Sequence, residues 1–428
     1  MNQAPPPTTT LAAHARDNSN RRSLLVLATV FALFGPVAAF AKMGTVPLII
    51  LAVFAHKSVS GAFKALAVFL RSPIGMALVA VLAWCAISNL WAPENSVLTL
   101  LRLATVIALA VLVAPAASAL ANEDNVILSK FIVATTGVLI AVLLFEGLSG
   151  AALHKLVRPE DAVAREGEWV PYLEMVAARG TAILAPLCFL IAPMVARFTR
   201  NAYAGAGMIA ISLIATLLLP MAASSLAILA GAAASLISKF NSRVALATVF
   251  AGLAIATLGG PWLVTAIAPE PGGEFYSEAL SRNQQQRVAI WSYTAEQIRE
   301  QPLRGYGFDS ARHIGGQGDI ITGTNWPALP LHPHNAALQI WLELGLVGAV
   351  LTTALLFFFW RALEKLRSQG RDIGPILGCI SAVSTLAMIS FGVWQFWWMA
   401  TWGLLCGTWA VLDADEQRPP GNNKPHYE

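Results

Sequence analysis

The stretch LHPHNAALQIWLELGLVGAV runs from Leu331 to Val350. It sets His332 and His334 at the mouth of a long apolar run that carries Glu343 inside it, in a chain with only seven histidines. Proline constrains the residue before it to extended backbone, so Pro333 holds this entry open. Asn335 is a strong N-cap residue type, and the spacing predicts a helix from Ala336 onward. His334 then stands just ahead of a helix N-terminus, whose partial positive charge favours anions. Glu343 lies about 13 Å further along the helix axis at 1.5 Å per residue. At that depth it is out of reach of His334 and is read as a structural carboxylate that orients a neighbouring helix. Without further context, the two histidines can be read as a catalytic pair or as interfacial side chains beside a cap.

The rest of the chain decides what this helix enters. Of 428 residues, 56% are hydrophobic and 12% charged, and the mean hydropathy is +0.62. Soluble domains carry about 25% charged residues, so this composition belongs to a membrane protein. A membrane helix needs about 20 apolar residues. Segments 24–41, 44–56, 74–92, 97–119, 126–148, 181–198, 203–220, 222–238, 244–268, 336–360, 374–392 and 394–412 approach that requirement. The expected architecture is thus an all-α polytopic membrane protein of about twelve spans. The second segment is short, and Pro36 and Pro47 make the first hairpin irregular. Residues 57–71 carry Lys57, Lys64 and Arg71 at nearly two-turn spacing and read as an amphipathic helix at the interface. The tryptophan-rich stretch 391–409 reads as an aromatic belt.

Charge sets the orientation. With a cytoplasmic N-terminus, the inner segments hold sixteen Lys/Arg and the outer ones ten, as the positive-inside rule requires. The chain then divides into a disordered cytoplasmic tail (1–23), five spans (24–148), a first outer loop (149–180), four spans (181–268), a large and partly helical outer loop (269–335), three spans (336–412) and a cytoplasmic tail (413–428). Unstructured loops beyond about 15 residues are usually functional, and the quoted histidines close the larger of these two. Cys85, Cys188, Cys379 and Cys406 all lie in apolar stretches and read as packing residues.

Within the large loop, SRNQQQRVAIWSYTAEQIREQ (281–301) has helical periodicity, with Val288, Trp291, Ala295 and Ile298 on one side. LRGYGFDSARH (303–313) has the glycines of a turn packed against something. Arg282, Arg287, Arg299, Arg304 and Arg312 make this outward loop basic, against the usual trend. Arginine forks bind phosphate oxygens bidentately, although single arginines are commonly solvated or paired with nearby acids. Arg179 marks re-entry into the membrane after the first loop, where interfacial snorkelling is the plain alternative. Arg102 lies about one and a half turns into a span, where a charge usually faces the bundle interior or a polar pathway. Other catalytic patterns are absent or misplaced. There is no His-Glu-x-x-His motif. Gly147-Leu148-Ser149-Gly150 matches a rhomboid-type pattern, but its serine opens a loop and His313 is extramembrane.

Taken together, LHPHNAALQIWLELGLVGA, the Arg-x3-Trp helix and Pro-x-x-Gly-x-Gly turn in RVAIWSYTAEQIREQPLRGYGFDSAR, the arginine-led ARGTAILAPLCFLIAP and SNLWAPENSVLTLLRLA closely resemble the O-antigen ligase superfamily. This group of bacterial inner-membrane glycan transferases also includes Wzy-type polysaccharide polymerases and protein O-glycosylating ligases. The resemblance covers most of residues 20–412, and its Leu-His-Pro-His-Asn-Ala-Ala-Leu-Gln form is most similar to O-antigen ligases. It implies transfer of a glycan from undecaprenyl diphosphate to a lipid A–core hydroxyl on the periplasmic face, or to another repeat unit if the chain is a polymerase. It implies that His334 deprotonates or orients the acceptor hydroxyl, and that Arg287 and Arg179 hold the diphosphate. Arg102 is inferred as a third anion contact, with His332 and Asn335 as secondary candidates. The implied partners are the lipid-linked donor, the glycan acceptor and membrane lipids, with no nucleic acid, metal or cofactor. A lipid-linked oligosaccharide flippase is the alternative of another class. Its usual internal repeats and midplane charges are not evident here.

Overall fold

A computed structural model describes residues 8–41, 44–120, 122–157, 159, 169–219, 221–267, 282–314 and 327–416. Their regular elements are helices: α1 (Thr8–Phe40), α2 (Thr45–Val53), α3 (Val59–Arg71), α4 (Pro73–Ser88), α5 (Val97–Val111), α6 (Val113–Ser118), α7 (Asn122–Ser149), α8 (Ala152–Val157), α9 (Trp169–Thr199), α10 (Ala202–Leu218), α11 (Ala222–Phe240), α12 (Ser242–Ile267), α13 (Arg282–Glu300), α14 (Ala311–Ile314), α15 (Ala336–Ser368), α16 (Gly374–Ile389) and α17 (Phe396–Glu416).

Seven helices in the described residues are long and apolar enough to cross a membrane: Asn18–Phe40, Val97–Ser118, Glu123–Ser149, Ala177–Thr199, Ala222–Phe240, Ser242–Ala266 and Ala336–Ser368. The chain is a polytopic helical membrane protein. The count of twelve is not reproduced by length and hydropathy. α2 has nine residues, about 13 Å of helix against a hydrocarbon core of about 30 Å. α10 and α16 are apolar but shorter than 18 residues. The basic amphipathic segment is a separate helix, α3, bent 83° from α4. The first helix already begins at Thr8, inside the segment read as a disordered tail. α9 begins at Trp169, inside the segment read as the first loop.

The chain forms two compact units: residues 1–67, 106–221 and 399–428 in one, and 68–105 and 222–398 in the other. In the first unit α1 packs on α7 and α9, and α9 on α10. Pro36 lies inside α1 and cannot donate to the carbonyl one turn back. The Thr135 hydroxyl of α7 fills that place, donating to Ala32 O at 2.9 Å. Near the end of α7, His154 is buried between Glu146 Oε2, 2.6 Å from its Nδ1, and Ala39 O, 3.0 Å from its Nε2.

In the second unit α11 packs on α16, α12 on α15, and α4 on α15, with α13 against both α12 and α15. The cluster holding α13 includes Val264, Ile290, Ile298, Leu338 and Trp341. Of the predicted apolar face of α13, Val288, Ala295 and Ile298 are buried, and Trp291 packs against this cluster.

The helix that follows the histidines is not continuous. Gly345 has φ 64° and ψ −162°, which breaks α15. A break of this kind orphans backbone groups, each costing several kcal/mol in a membrane interior. The turn at 302–307 satisfies them. Tyr306 N–H donates to Leu342 O and Gly307 N–H to Glu343 O, both at 2.8 Å, while Leu346 N–H donates to Pro302 O at 2.9 Å. Trp84 Nε1–H donates to Leu344 O at 2.9 Å. Gly305 and Gly307 also have positive φ. A β-carbon at Gly305 would stand 2.5 Å from the Glu343 carbonyl carbon, and one at Gly345 would collide with Leu303 O. The turn read from the sequence as packed on something is packed into this break.

Candidate active site

The site lies in the second unit, where α16 ends. The last carbonyls of a helix lack intrahelical partners and carry the negative end of its dipole. Two candidate site side chains use them. Arg287 Nη1 donates to Ile389 O at 2.5 Å. His334 Nδ1 lies 2.7 Å from Ser390 O. A carbonyl only accepts, so Nδ1 carries the proton and the Nε2 lone pair is left available. One turn along α13 from Arg287, Trp291 Nε1–H donates to Pro333 O at 2.9 Å. This explains the Arg-x3-Trp spacing: residues i and i+4 share a helix face, and here they hold the two segments of the site, at Ile389 and at Pro333.

His334 departs from the extended path that Pro333 suggested. Its φ is 54°, a left-handed turn that brings its own N–H to within 3.2 Å of His332 Nδ1. The two rings stand 4.3 Å apart. On its other side His332 Nε2 lies 3.1 Å from Gln395 Nε2, and Gln395 Oε1 accepts from Trp397 Nε1–H at 2.8 Å. The His332 ring leans on Gly392, where a β-carbon would stand 2.9 Å from ring carbons. The His334 N–H needs an acceptor at His332 Nδ1, so the neutral ring carries its proton on Nε2, and an imidazolium would lose this bond.

The electrostatics agree with that geometry. Burial pushes His332 down to about 3, helped by His334, Arg312 and Arg287. Burial also lowers His334, as does Arg287, while the Ser390 carbonyl works in the opposite direction. Both histidines are therefore neutral near pH 7. Asn335 is the expected cap: its side chain accepts from Leu338 N–H at 3.0 Å.

The arginines separate. Arg287 joins the histidines. Arg102 is exposed on α5, so it does not face the interior of its bundle. Arg179 is half-buried in the first unit, three residues into the apolar stretch that starts at Ala177. Arg282 has no described side chain. Arg312 is tied through Nε to the buried Asp309 carboxylate at 2.8 Å, whose pKa burial raises against the pull of Arg312.

Glu343 ties two non-helical segments to its own helix, not the neighbouring helix that the sequence suggested. Its Oε2 accepts from Trp394 Nε1–H at 2.6 Å and from Asp309 N–H at 2.9 Å. Its Oε1 accepts from Gln339 Nε2–H at 2.9 Å. Gln339 Oε1 accepts in turn from Val393 N–H at 2.9 Å. Gln339, Trp394 and Gln395 escaped the sequence reading. A polar pair four residues apart inside an apolar run was the signal for Gln339. Trp394 and Trp397 hydrogen-bond within the protein, and Trp397 and Trp398 are buried, so this part of the tryptophan stretch is core rather than belt.

A polytopic helical protein with a neutral histidine pair and an arginine at one helix end is the class that fold and site define. A family model described as O-antigen ligase matches residues 175–353, which contain Arg179, Arg287, His332 and His334. Over this segment, less than half of the chain, the sequence is similar to the O-antigen ligase family. It is 30% identical over 181 residues to a Rickettsia conorii protein named "Putative polysaccharide ligase", covering 41% of this chain and 42% of that one. A Rickettsia felis protein of the same name is 31% identical over 166 residues, covering 37% and 39%. A Rickettsia typhi relative is 28% identical over 180 residues, covering 41% and 43%. The matches span about two fifths of the length of these relatives.

Proposed function

We propose that this protein is a glycosyltransferase of the O-antigen ligase kind. In this reading it moves a glycan from undecaprenyl diphosphate to a lipid A–core hydroxyl, at the periplasmic face of the bacterial inner membrane. The supporting observation is His334, with Nδ1–H held by Ser390 O at 2.7 Å and Arg287 anchored on the adjacent carbonyl. In the proposed step, His334 Nε2 takes the proton of the acceptor hydroxyl. The hydroxyl oxygen attacks the anomeric carbon from the side opposite the diphosphate. The new glycosidic bond forms as the anomeric carbon–oxygen bond breaks, which inverts the centre. Undecaprenyl diphosphate leaves with the electron pair. Arg287 is assigned to the developing diphosphate charge, which a fixed guanidinium group stabilises in a low-dielectric site; Arg179 keeps only the diphosphate role that the resemblance implies, and the exposed Arg102 is not assigned one. His332 and Asn335 hold the backbone that presents His334. The lipid diphosphate supplies the free energy, so the reaction is proposed to need neither nucleotide nor metal. A twelve-span topology with both termini cytoplasmic belongs to the same proposal.

A polymerase of O-antigen or exopolysaccharide would use the same site with a second repeat unit as acceptor. Gene deletion followed by gel separation of the lipopolysaccharide distinguishes these readings. A ligase predicts loss of the whole ladder, intact lipid A–core and accumulation of lipid-linked polymer. A single repeat unit left on the core would assign an O-antigen polymerase, and an unchanged ladder would remove both the ligase and the O-antigen polymerase, leaving exopolysaccharide as the product to assay.

A further inference from the structure

Residues 389–395 form the back wall of the site. Ile389 O holds Arg287, Ser390 O holds His334, Gly392 underlies the His332 ring and Gln395 meets its Nε2. This segment is non-helical from Ser390 to Gln395, so a helical ladder does not fix its pose. Two buried side chains of α15 meet it instead. Gln339 takes the Val393 N–H, and Glu343 takes the Trp394 indole N–H. Both side chains are buried, Glu343 completely. Their polar atoms face one another and this segment, in the middle of an otherwise apolar helix. Apolar residues of similar volume commonly serve stability as well as a buried charged group does, so packing alone does not account for the pair.

We propose that Gln339 and Glu343 are positioning residues: they pin the 389–395 segment, and through Ser390 they select the His334 tautomer that leaves Nε2 open as the base. This rests on the transfer reaction proposed above. Hydrogen-bond direction makes the pair order-specific. Glu343 supplies only acceptors, to Gln339, Trp394 and Asp309. Gln339 must donate toward Glu343 and accept from Val393. In Glu343→Gln alone, the new amide presents a donor to one of those donors. In Gln339→Glu alone, two carboxylates face each other. In the exchange Gln339→Glu/Glu343→Gln every partner is again satisfied: the carboxylate at 339 accepts from Val393 and from the amide at 343, whose oxygen accepts from Trp394 and Asp309.

The test reads tautomer and turnover together, in the full-length protein. Histidine labelled with nitrogen-15 and followed by NMR reports the His334 ring, its signal identified by its loss in His334→Ala. Wild type is expected to show the Nδ1–H form. Gln339→Leu is expected to mix in the Nε2–H form. A base displaced in this way costs about tenfold to a hundredfold in kcat, with the donor KM within about twofold. The acid limb of its pH profile is expected to move lower, since the imidazolium loses the Ser390 acceptor. The other groups that face this ring, Arg287 on α13 and neighbouring His332, are unchanged. The exchange variant is expected to recover both the tautomer and most of the turnover. A folded Gln339→Leu protein with the wild-type tautomer would overturn the proposal, as would an exchange variant that recovers stability but not the tautomer. If the tautomer responds as expected while His334→Ala transfers glycan normally, the transfer reading fails and the positioning claim stands.

Discussion

His154 and His334 each have a partner within 3 Å at Nδ1, and there the likeness ends. His154 faces a carboxylate on one nitrogen and a carbonyl on the other, both within 3.0 Å, so its hydrogen-bonding capacity is used up inside the protein. His334 has a carbonyl on Nδ1 alone, and no described residue bonds its Nε2. The first arrangement fastens helix ends; the second holds a ring in one orientation and leaves a lone pair for a substrate. The number of satisfied nitrogens separates a structural histidine from a candidate base.

Exchanging each histidine for alanine puts that contrast under load. His334→Ala is expected to lower glycan transfer by about a hundredfold or more, the scale of a lost general base, with thermal stability little changed. His154→Ala is expected to cost about 3 kcal/mol of stability, as when a buried charge partner is removed, with turnover per folded molecule retained. Loss of turnover in both, measured beside their unfolding midpoints, would erase the distinction. Arg287→Lys keeps the charge but not the fork, and is expected to lose about tenfold in transfer; an unchanged rate would reduce Arg287 to a clamp on Ile389.

Acid sharpens the same contrast. The proposed transfer requires neutral His334, whose folded pKa lies below the ordinary value. Activity is therefore expected to persist below pH 6.5 and to fail only as pH drops through that lowered value. An acid limb at or above pH 6.5 would count against this base. His332 acts on stability. Its folded pKa is about 3 against about 6.5 unfolded, so the unfolded chain binds more protons between them. Its contribution is complete above pH 6.5 and is lost as pH falls toward 3. His332→Gln is expected to flatten the decline of the unfolding midpoint over that window. The smallest effect belongs to the cap: Asn335→Ala is expected to cost about 1 kcal/mol of stability, and no measurable change would mean that another group serves Leu338 N–H.

Local chemistry made much of this legible. The Asn335 cap, the 282–300 helix with its buried face and the histidines ahead of an apolar helix all follow from neighbours within one or two turns. The break at Gly345 did not, because a glycine within an apolar run is compatible with an unbroken helix. Its cause lies some forty residues earlier, in the turn whose N–H groups replace the missing ladder. The role of Ser390 was equally hidden, since any residue supplies a carbonyl and only the fold aims it. Charge patterns gave Arg102 an inward direction that its exposure does not support. Hydropathy counted apolar segments but not whether each forms one long helix, which is why twelve segments correspond to seven long apolar helices among the described residues.

The most direct measurement uses purified protein in lipid, an undecaprenyl diphosphate-linked glycan and a lipid A–core acceptor, with released undecaprenyl diphosphate and glycosylated acceptor counted together. Equimolar appearance of both products in wild type, and neither in His334→Ala, is the predicted result. Equal product from His334→Ala, or release of undecaprenyl diphosphate without glycosylated acceptor, would contradict the account.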